Sequence, residues 1–337
     1  MPAPPVLARV WRGSVPEADI RAHVAIADST GRVCAALGDP LTVTTLRSAV
    51  KPLQAIPFVE RAARKVGAGM ADLAVACASH QGEDVHVEAV RALLGRAGVS
   101  DEALACGPQL PFDEETARRL IQEGEGPQRI RNNCSGKHAA MLATCAVAGW
   151  PIEGYRDRDH PCQLAVREAL ERHLAVDLTG APWGVDGCGL PTYGVPLLAL
   201  ARAFASAQHD VSFRRCQEAM AAEPYLVAGR GRFDTALLSV AGGRLTAKIG
   251  GAAVWAAAVR SRHLGVAVKL EAGVGEAVAP IALAVLVAAD AVASPLAEPL
   301  QAFVLPLLRN WEGTVVGETR VEREPFQELR HALASAL

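Results

Sequence analysis

Four short stretches concentrate the residue types that do chemistry. "RSAVKP" places Ser48 three residues before Lys51, and "CASHQGED" carries Ser79. "NNCSGKHAAM" packs Cys134, Lys137 and His138 together, and "GVDGCGLP" sets Asp186 two residues before Cys188. A hydroxyl is a poor nucleophile at neutral pH, but a neighbouring lysine kept neutral by desolvation can take its proton. If Ser48 caps a helix, Lys51 lies one turn on along the same side. The positive end of the helix dipole then favours both a neutral amine and a developing oxyanion.

The cysteine stretches admit three readings. Cys134 and His138 are four apart and share a face if the segment is helical, which allows a nucleophile and its base. Two thiolates, an imidazole and the Asp186 carboxylate could instead ligate zinc, although the spacing matches no zinc-finger pattern. Inert buried thiols are the third reading, because free cysteine behaves as a small hydrophobe.

Composition narrows the choice. Of the 34 basic residues only five are lysine: Lys51, Lys65, Lys137, Lys248 and Lys269. Surface charge can come from arginine, whereas a neutral amine can come only from lysine, so the surviving lysines rank as candidates. Lys248 lies in a K-x-G, Lys248-Ile249-Gly250, on a predicted strand. The net charge of -2 and the absence of basic runs exclude a nucleic-acid or polybasic membrane surface. The longest apolar run, Ala277 to Ala289, is too short to span a bilayer. The N-terminus shows no basic-then-apolar leader, so a cytoplasmic location with reduced thiols is expected for the eight scattered cysteines.

The elements that must hold these residues follow from patterning. Asp28-Ser29-Thr30-Gly31 reads as the turn of a hairpin over about 23–37. Helices are expected from Ser48, with a kink at Pro57, after an Asp113 cap, from Pro161, and over "PLLALARAFA". From about Asp234 the pattern returns to strands, in "LLSVAGGRLTAKIGG", "AAVWAAAV" and "LGVAVKLEAG", followed by a helix from Ala277. The expectation is one two-lobed α+β domain. An antiparallel sheet comes from both termini, about 1–47 and 234–337, and a helical lobe of about 48–233 is inserted into it.

The order Ser48/Lys51, then Ser79, then Lys248/Gly250 resembles serine enzymes of the penicillin-recognising type, which use SxxK, a second serine and a K-[TS]-G strand. All four stretches together, in this order and at these intervals, more specifically resemble the bacterial asparaginase II family, the inducible Rhizobium type. That resemblance implies a fold similar to serine β-lactamases and glutaminases, a homodimer, and hydrolysis of L-asparagine to L-aspartate and ammonia. It implies two Ser–Lys pairs, Ser48 with Lys51 and Ser79 with Lys248. It further implies zinc held by Cys134, Lys137 and Cys188, which moves the third ligand from His138 to Lys137. Arg47, His138 and Asp186 are the candidates for gripping the substrate. Backbone N–H groups near Ser48 and after Gly250 are the expected oxyanion hole. The alternatives are another serine amidohydrolase of this fold, of glutaminase or penicillin-recognising type, and a zinc-binding homologue without catalysis.

Overall fold

A computed structural model describes residues 3–273 and 275–336. Its strands are β1 (Val6–Arg12), β2 (Val15–Ala27), β3 (Val33–Leu37), β4 (Val43–Thr45), β5 (Trp183–Val185), β6 (Pro191–Pro196), β7 (Leu245–Gly250), β8 (Val254–Val259), β9 (Leu264–Leu270), β10 (Leu307–Arg309) and β11 (Val315–Val321). The chain divides into two compact units. The first comprises Met1–Ala49, Gly194–Ser206 and Arg244–Leu337, and the second Val50–Tyr193 and Ala207–Gly243.

The first unit is built on an antiparallel sheet in the order β10-β11-β1-β2-β9-β8-β7, with β3 also paired to β2. The class is α+β, and the sheet draws strands from both ends of the chain, as expected. The β2–β3 hairpin turns at Asp28, whose Oδ1 accepts the N–H groups of Thr30 and Arg32 at 2.9 and 3.1 Å. That local bonding is why an aspartate can start a turn. β8 and β9 are buried almost throughout, and half of β8 is alanine, a weak strand former, so tertiary packing decides its state. The helix Leu197–Ser206 packs on β2 and β9 and so belongs with the sheet, outside the helical lobe to which patterning assigns it. Gly265 makes that packing possible: a Cβ there would lie 1.8 Å from the carbonyl oxygen of Ala201.

One expected strand is a helix. "LLSVA" belongs to the helix Phe233–Ala241, which buries Phe233, Leu237, Leu238 and Ala241, the spacing of one helical face. Gly242 ends it in the left-handed region, at φ 54°, and the sheet resumes only at Leu245. The lobe boundary expected at 234 therefore moves to 244.

The second unit is mostly helical. Asp113 caps the helix Glu114–Gln122 by accepting the N–H of Thr116 at 2.8 Å. Pro161 opens the helix Pro161–Leu174, and Gly149 closes Ser135–Ala148 at φ 70°. The run after Ser48 is less regular than expected. Arg47–Val50 is a 3-10 turn, and Lys51–Gln54 is a short α-helix whose N-terminus no side chain caps, so Ser48 is not the cap. Pro57 has no N–H for the carbonyl of Leu53, and the helix breaks at Ala55 before continuing with π-type bonds over Val59–Ala63. Among the described residues no helix is long and apolar enough to cross a membrane.

Two glycines test this account with opposite signs. Gly265→Ala drives a methyl into helix backbone and should cost about 3 kcal/mol or more. Gly95→Ala sits at an exposed position of the helix Asp84–Arg96 with nothing within 4 Å of its would-be Cβ, and should gain about 0.5–1 kcal/mol. Denaturant unfolding of both variants reads the two effects.

Candidate active site

In the second unit three loops meet around two buried lysines. Lys51 is fully buried, and its Nζ reaches Ser79 Oγ at 2.9 Å and Cys134 Sγ at 3.2 Å, and also donates to the carbonyl of Ala78. An ammonium can donate to all three. A neutral amine has one lone pair, so for Lys51 to act as a base the Ser79 O–H must turn and donate to it. The same contact therefore serves a proton transfer in either direction.

Lys137 is buried 51 residues upstream of its partner Cys188, at 3.2 Å from Nζ to Sγ, and lies 3.6 Å from Asp186 Oδ2. Burial alone would lower this amine, but the charges of Cys188, Cys134 and Asp186 outweigh it and push it above the ordinary lysine value. Asp186 behaves in the mirror sense. Burial opposes its charge, yet Lys137, the Cys188 thiol and the N–H groups of Leu190 and Cys188 hold it below the usual carboxylate range. The hydrogen bond between the two thiols pulls Cys134 well below the usual thiol value and pushes Cys188 up. One proton comes off this pair easily and the second is retained.

Sequence context explains why these groups converge. Cys134 stands at the N-terminus of the helix Ser135–Ala148, where its N–H is bonded to Asn132 Oδ1 at 2.9 Å. Asn132 Nδ2 in turn donates to the carbonyls of Cys106 and Gly107 at 2.9 and 3.1 Å. His80 Nδ1 accepts the N–H of Gly82, so its Nε2 carries the proton and donates to Ser135 Oγ at 3.1 Å. Asp186 Oδ1 accepts from Cys188 N, Leu190 N and the Cys188 thiol at 2.9, 3.0 and 3.0 Å, closing the Cys188 turn. Asp186 is thus occupied by its own loop and by Lys137.

The first unit gathers a second group of expected residues. Lys248 is fully buried on β7, where its Nζ donates to the carbonyl of Ile249 at 2.9 Å. A Cβ on Gly250 would lie 2.9 Å from Ala49 N, and one on Gly251 would lie 2.7 Å from the Arg47 guanidinium. The glycines of the K-x-G segment therefore admit the turn that carries Arg47 and Ser48. Arg47 itself holds φ 48°, a costly value for a residue with a side chain.

Among the described residues no three His, Cys, Asp or Glu side chains are arranged to hold a metal ion, so a zinc site here needs the lysine. The donor set meets that condition. Two thiols and one amine lie within hydrogen-bonding reach, each at most 5% exposed, and their protons are the ones a dication would displace. His138, the ligand expected from spacing, turns instead to Tyr155, whose hydroxyl is 2.6 Å from Nδ1. Tyr155, His80 and Asn132 were missed as functional candidates. Two of them stand inside the quoted motifs, and Tyr155 has no local signal at all.

If Asp186 serves the fold of this cluster, Asp186→Ala leaves Lys137 buried without its carboxylate and should cost about 3 kcal/mol of stability. Asp186→Asn keeps an acceptor for the turn and should cost less. Chemical denaturation measures both, and a residue that met only substrate would leave the unfolding free energy unchanged.

No curated protein matches the chain closely enough to compare. The family model for L-asparaginase II matches residues 8–321, which include both groups of residues and every quoted motif. The chain belongs to the L-asparaginase II family, an amidohydrolase family.

Proposed function

We propose that the protein is an L-asparaginase that hydrolyses L-asparagine to L-aspartate and ammonia through a serine–lysine acyl-enzyme. The observation that carries this reading is the buried Lys51 amine in contact with the Ser79 hydroxyl at 2.9 Å. Ser48, three residues before Lys51, attacks the side-chain amide carbon, and Lys51 takes its proton. Ser79, already bonded to Lys51, passes that proton to the departing ammonia. Water then attacks the ester, and the same groups return the proton to Ser48. Lys248 supplies a second amine for this relay, and Arg47 a fixed positive charge for the substrate carboxylate.

A second reading makes Ser79 the nucleophile, and the Lys51–Ser79 hydrogen bond itself favours it. An electrophilic diazo-ketone analogue of asparagine separates the two, because it labels the attacking oxygen. Label on Ser48 supports the first reading, and label on Ser79 replaces it with the second. Under the first, Ser48→Ala should lose on the order of a thousandfold in turnover without unfolding. Lys51→Arg should be nearly as damaging as Lys51→Ala, since arginine cannot accept a proton.

Cys134, Lys137 and Cys188 are the residues that would hold zinc, and the ion would offer a Lewis-acid contact to an anionic oxygen of the amino acid. Metal analysis should find one zinc per chain. Because serine and lysine supply the attacking group, Cys188→Ser should raise KM more than it lowers kcat. Loss of turnover with unchanged KM at Cys134→Ser would instead indicate a cysteine nucleophile.

A further inference from the structure

Glu83 stands at the N-terminal boundary of the helix Asp84–Arg96 and is buried, yet its carboxyl group caps none of that helix's N–H groups. It turns across to a different segment instead. Oε1 accepts the N–H of Arg230 at 3.2 Å, and Oε2 accepts the Tyr225 hydroxyl at 2.5 Å. The Arg230 guanidinium, itself exposed, lies 3.8 Å from Oε2 and adds attraction at longer range. One carboxyl group takes two directed donors at once, and a buried donor left unmade is costly, so this pair of bonds fixes how the two segments meet.

The partner segment is shaped for that contact. Gly229 holds φ 108°, and a Cβ on it would lie 2.7 Å from both Glu83 Oε1 and Gln81 Cγ, so glycine is what lets the carboxyl group approach. Thr235 Oγ1 pins the same turn, accepting the N–H of Gly229 at 3.1 Å and donating to its carbonyl at 2.8 Å. Two further bonds tie this segment to the loop that precedes Glu83. Gln81 Nε2 donates to the Arg230 carbonyl at 2.7 Å, and the N–H of Ser79 donates to the Val227 carbonyl at 2.9 Å. Residues 78–83 belong to no helix or strand, so the place of Ser79 depends on these cross-contacts. The Ser79 hydroxyl at the far end of the row is the one that meets Lys51 Nζ at 2.9 Å.

We propose that Glu83 is a positioning residue for the reaction: by fastening the 78–83 loop to the segment 225–230, it holds the Ser79 hydroxyl against Lys51. The part played by Ser79 rests on the asparaginase reading above, and the proposal is the same whether Ser79 relays the proton or attacks. The clamp itself rests only on the contacts of Glu83, Gln81 and Ser79 with Tyr225, Val227, Gly229 and Arg230. A proton passes between hydroxyl and amine only at hydrogen-bonding distance, and a misplacement of about 1 Å caused from outside the reacting atoms costs on the order of a hundredfold in rate.

Kinetics with unfolding controls test the role. Glu83→Gln keeps the size of the side chain but sets an amide NH2 against one of the two donors. Its kcat for asparagine should fall about tenfold to a hundredfold, with KM within about twofold of wild type. Tyr225→Phe removes one donor and keeps the ring, so it should show the same split with a smaller loss in kcat, and it carries the test should Glu83→Gln fail to fold. Asp210→Ala is the control for mere destabilisation, because it removes the cap of the helix Val211–Ala222 in the same unit. It should lower the denaturation midpoint while leaving kcat and KM within about twofold of wild type. An unchanged kcat in the clamp variants, a rise in KM in place of the kcat loss, or an equal kcat loss in Asp210→Ala overturns the proposal.

Hydrogen exchange of the full chain reads the clamp without any reaction. Peptides covering 78–83 should exchange at least about tenfold faster in Glu83→Gln, while those of the helix Pro161–Leu174 keep the wild-type rate. Unchanged exchange at 78–83 sinks the clamp. Should the wild-type protein release no ammonia, the reading of the reaction fails on its own, and exchange alone then decides whether Glu83 holds the Ser79 loop.

Discussion

Two lysine amines are buried in the second unit, Lys51 fully and Lys137 to 97%, its exposure being 3%. An ammonium in a protein interior is tolerated only where oppositely charged or strongly accepting groups surround it. That requirement fixes most of what lies nearby. Lys51 needs the Ala78–Ser79 backbone turn and the Cys134 sulfur. Lys137 needs Cys188 and Asp186. Three loops far apart in sequence must therefore converge, and none of them can be moved without stranding a charge.

Convergence this tight needs places where a side chain is missing. A Cβ on Gly136 would stand 2.2 Å from the carbonyl oxygen of Val75, so the first turn of the helix that bears Lys137 and His138 lies directly on the helix Met70–Ala76. Gly82 does the same for the loop after Ser79: it holds φ 77°, and a Cβ there would meet the Arg131 carbonyl at 2.5 Å. The "SGKH" and "HQGED" stretches thus carry glycine for a packing reason as much as a chemical one. Their polar side chains then complete the joint, Arg131 to the Gly82 carbonyl at 2.9 Å and to Asp84 at 2.7 Å.

Much of this was legible because local chemistry announced it. The scarcity of lysine singled out five residues, of which Lys51, Lys137 and Lys248 prove buried, while Lys65 is exposed and Lys269 half-buried. Turn and cap residues such as Asp28 and Asp113 act over two to four positions, so patterning located the hairpin and the helix after it. The errors came where a distant partner decides. "LLSVA" is apolar enough for either element, and its helical face is visible only once Phe233 is counted with it. Ser48 looks like a cap, yet the turn around it is shaped by β7 across Gly250, some 200 residues later in the chain. Tyr155 reaches His138 and Ala105 from a segment with no motif.

The polar groups of the second unit form an unbroken series: Ser79, Lys51, Cys134, Cys188, Lys137, Asp186. Their charges balance in a specific way. The Lys137 ammonium and the Asp186 carboxylate cancel, and the thiol pair readily gives up a single proton at Cys134. A dication bound by both thiols and the Lys137 amine would displace two protons, one from Cys188 and one from Lys137. Two positive charges would enter and two would leave, so the net charge of the series would not change. A ligand set of two cysteines and a histidine offers a different exchange, since a neutral imidazole has no ammonium proton to surrender. On this ground a lysine, unlike a histidine, would let this buried cluster exchange protons for a divalent ion without a change in net charge.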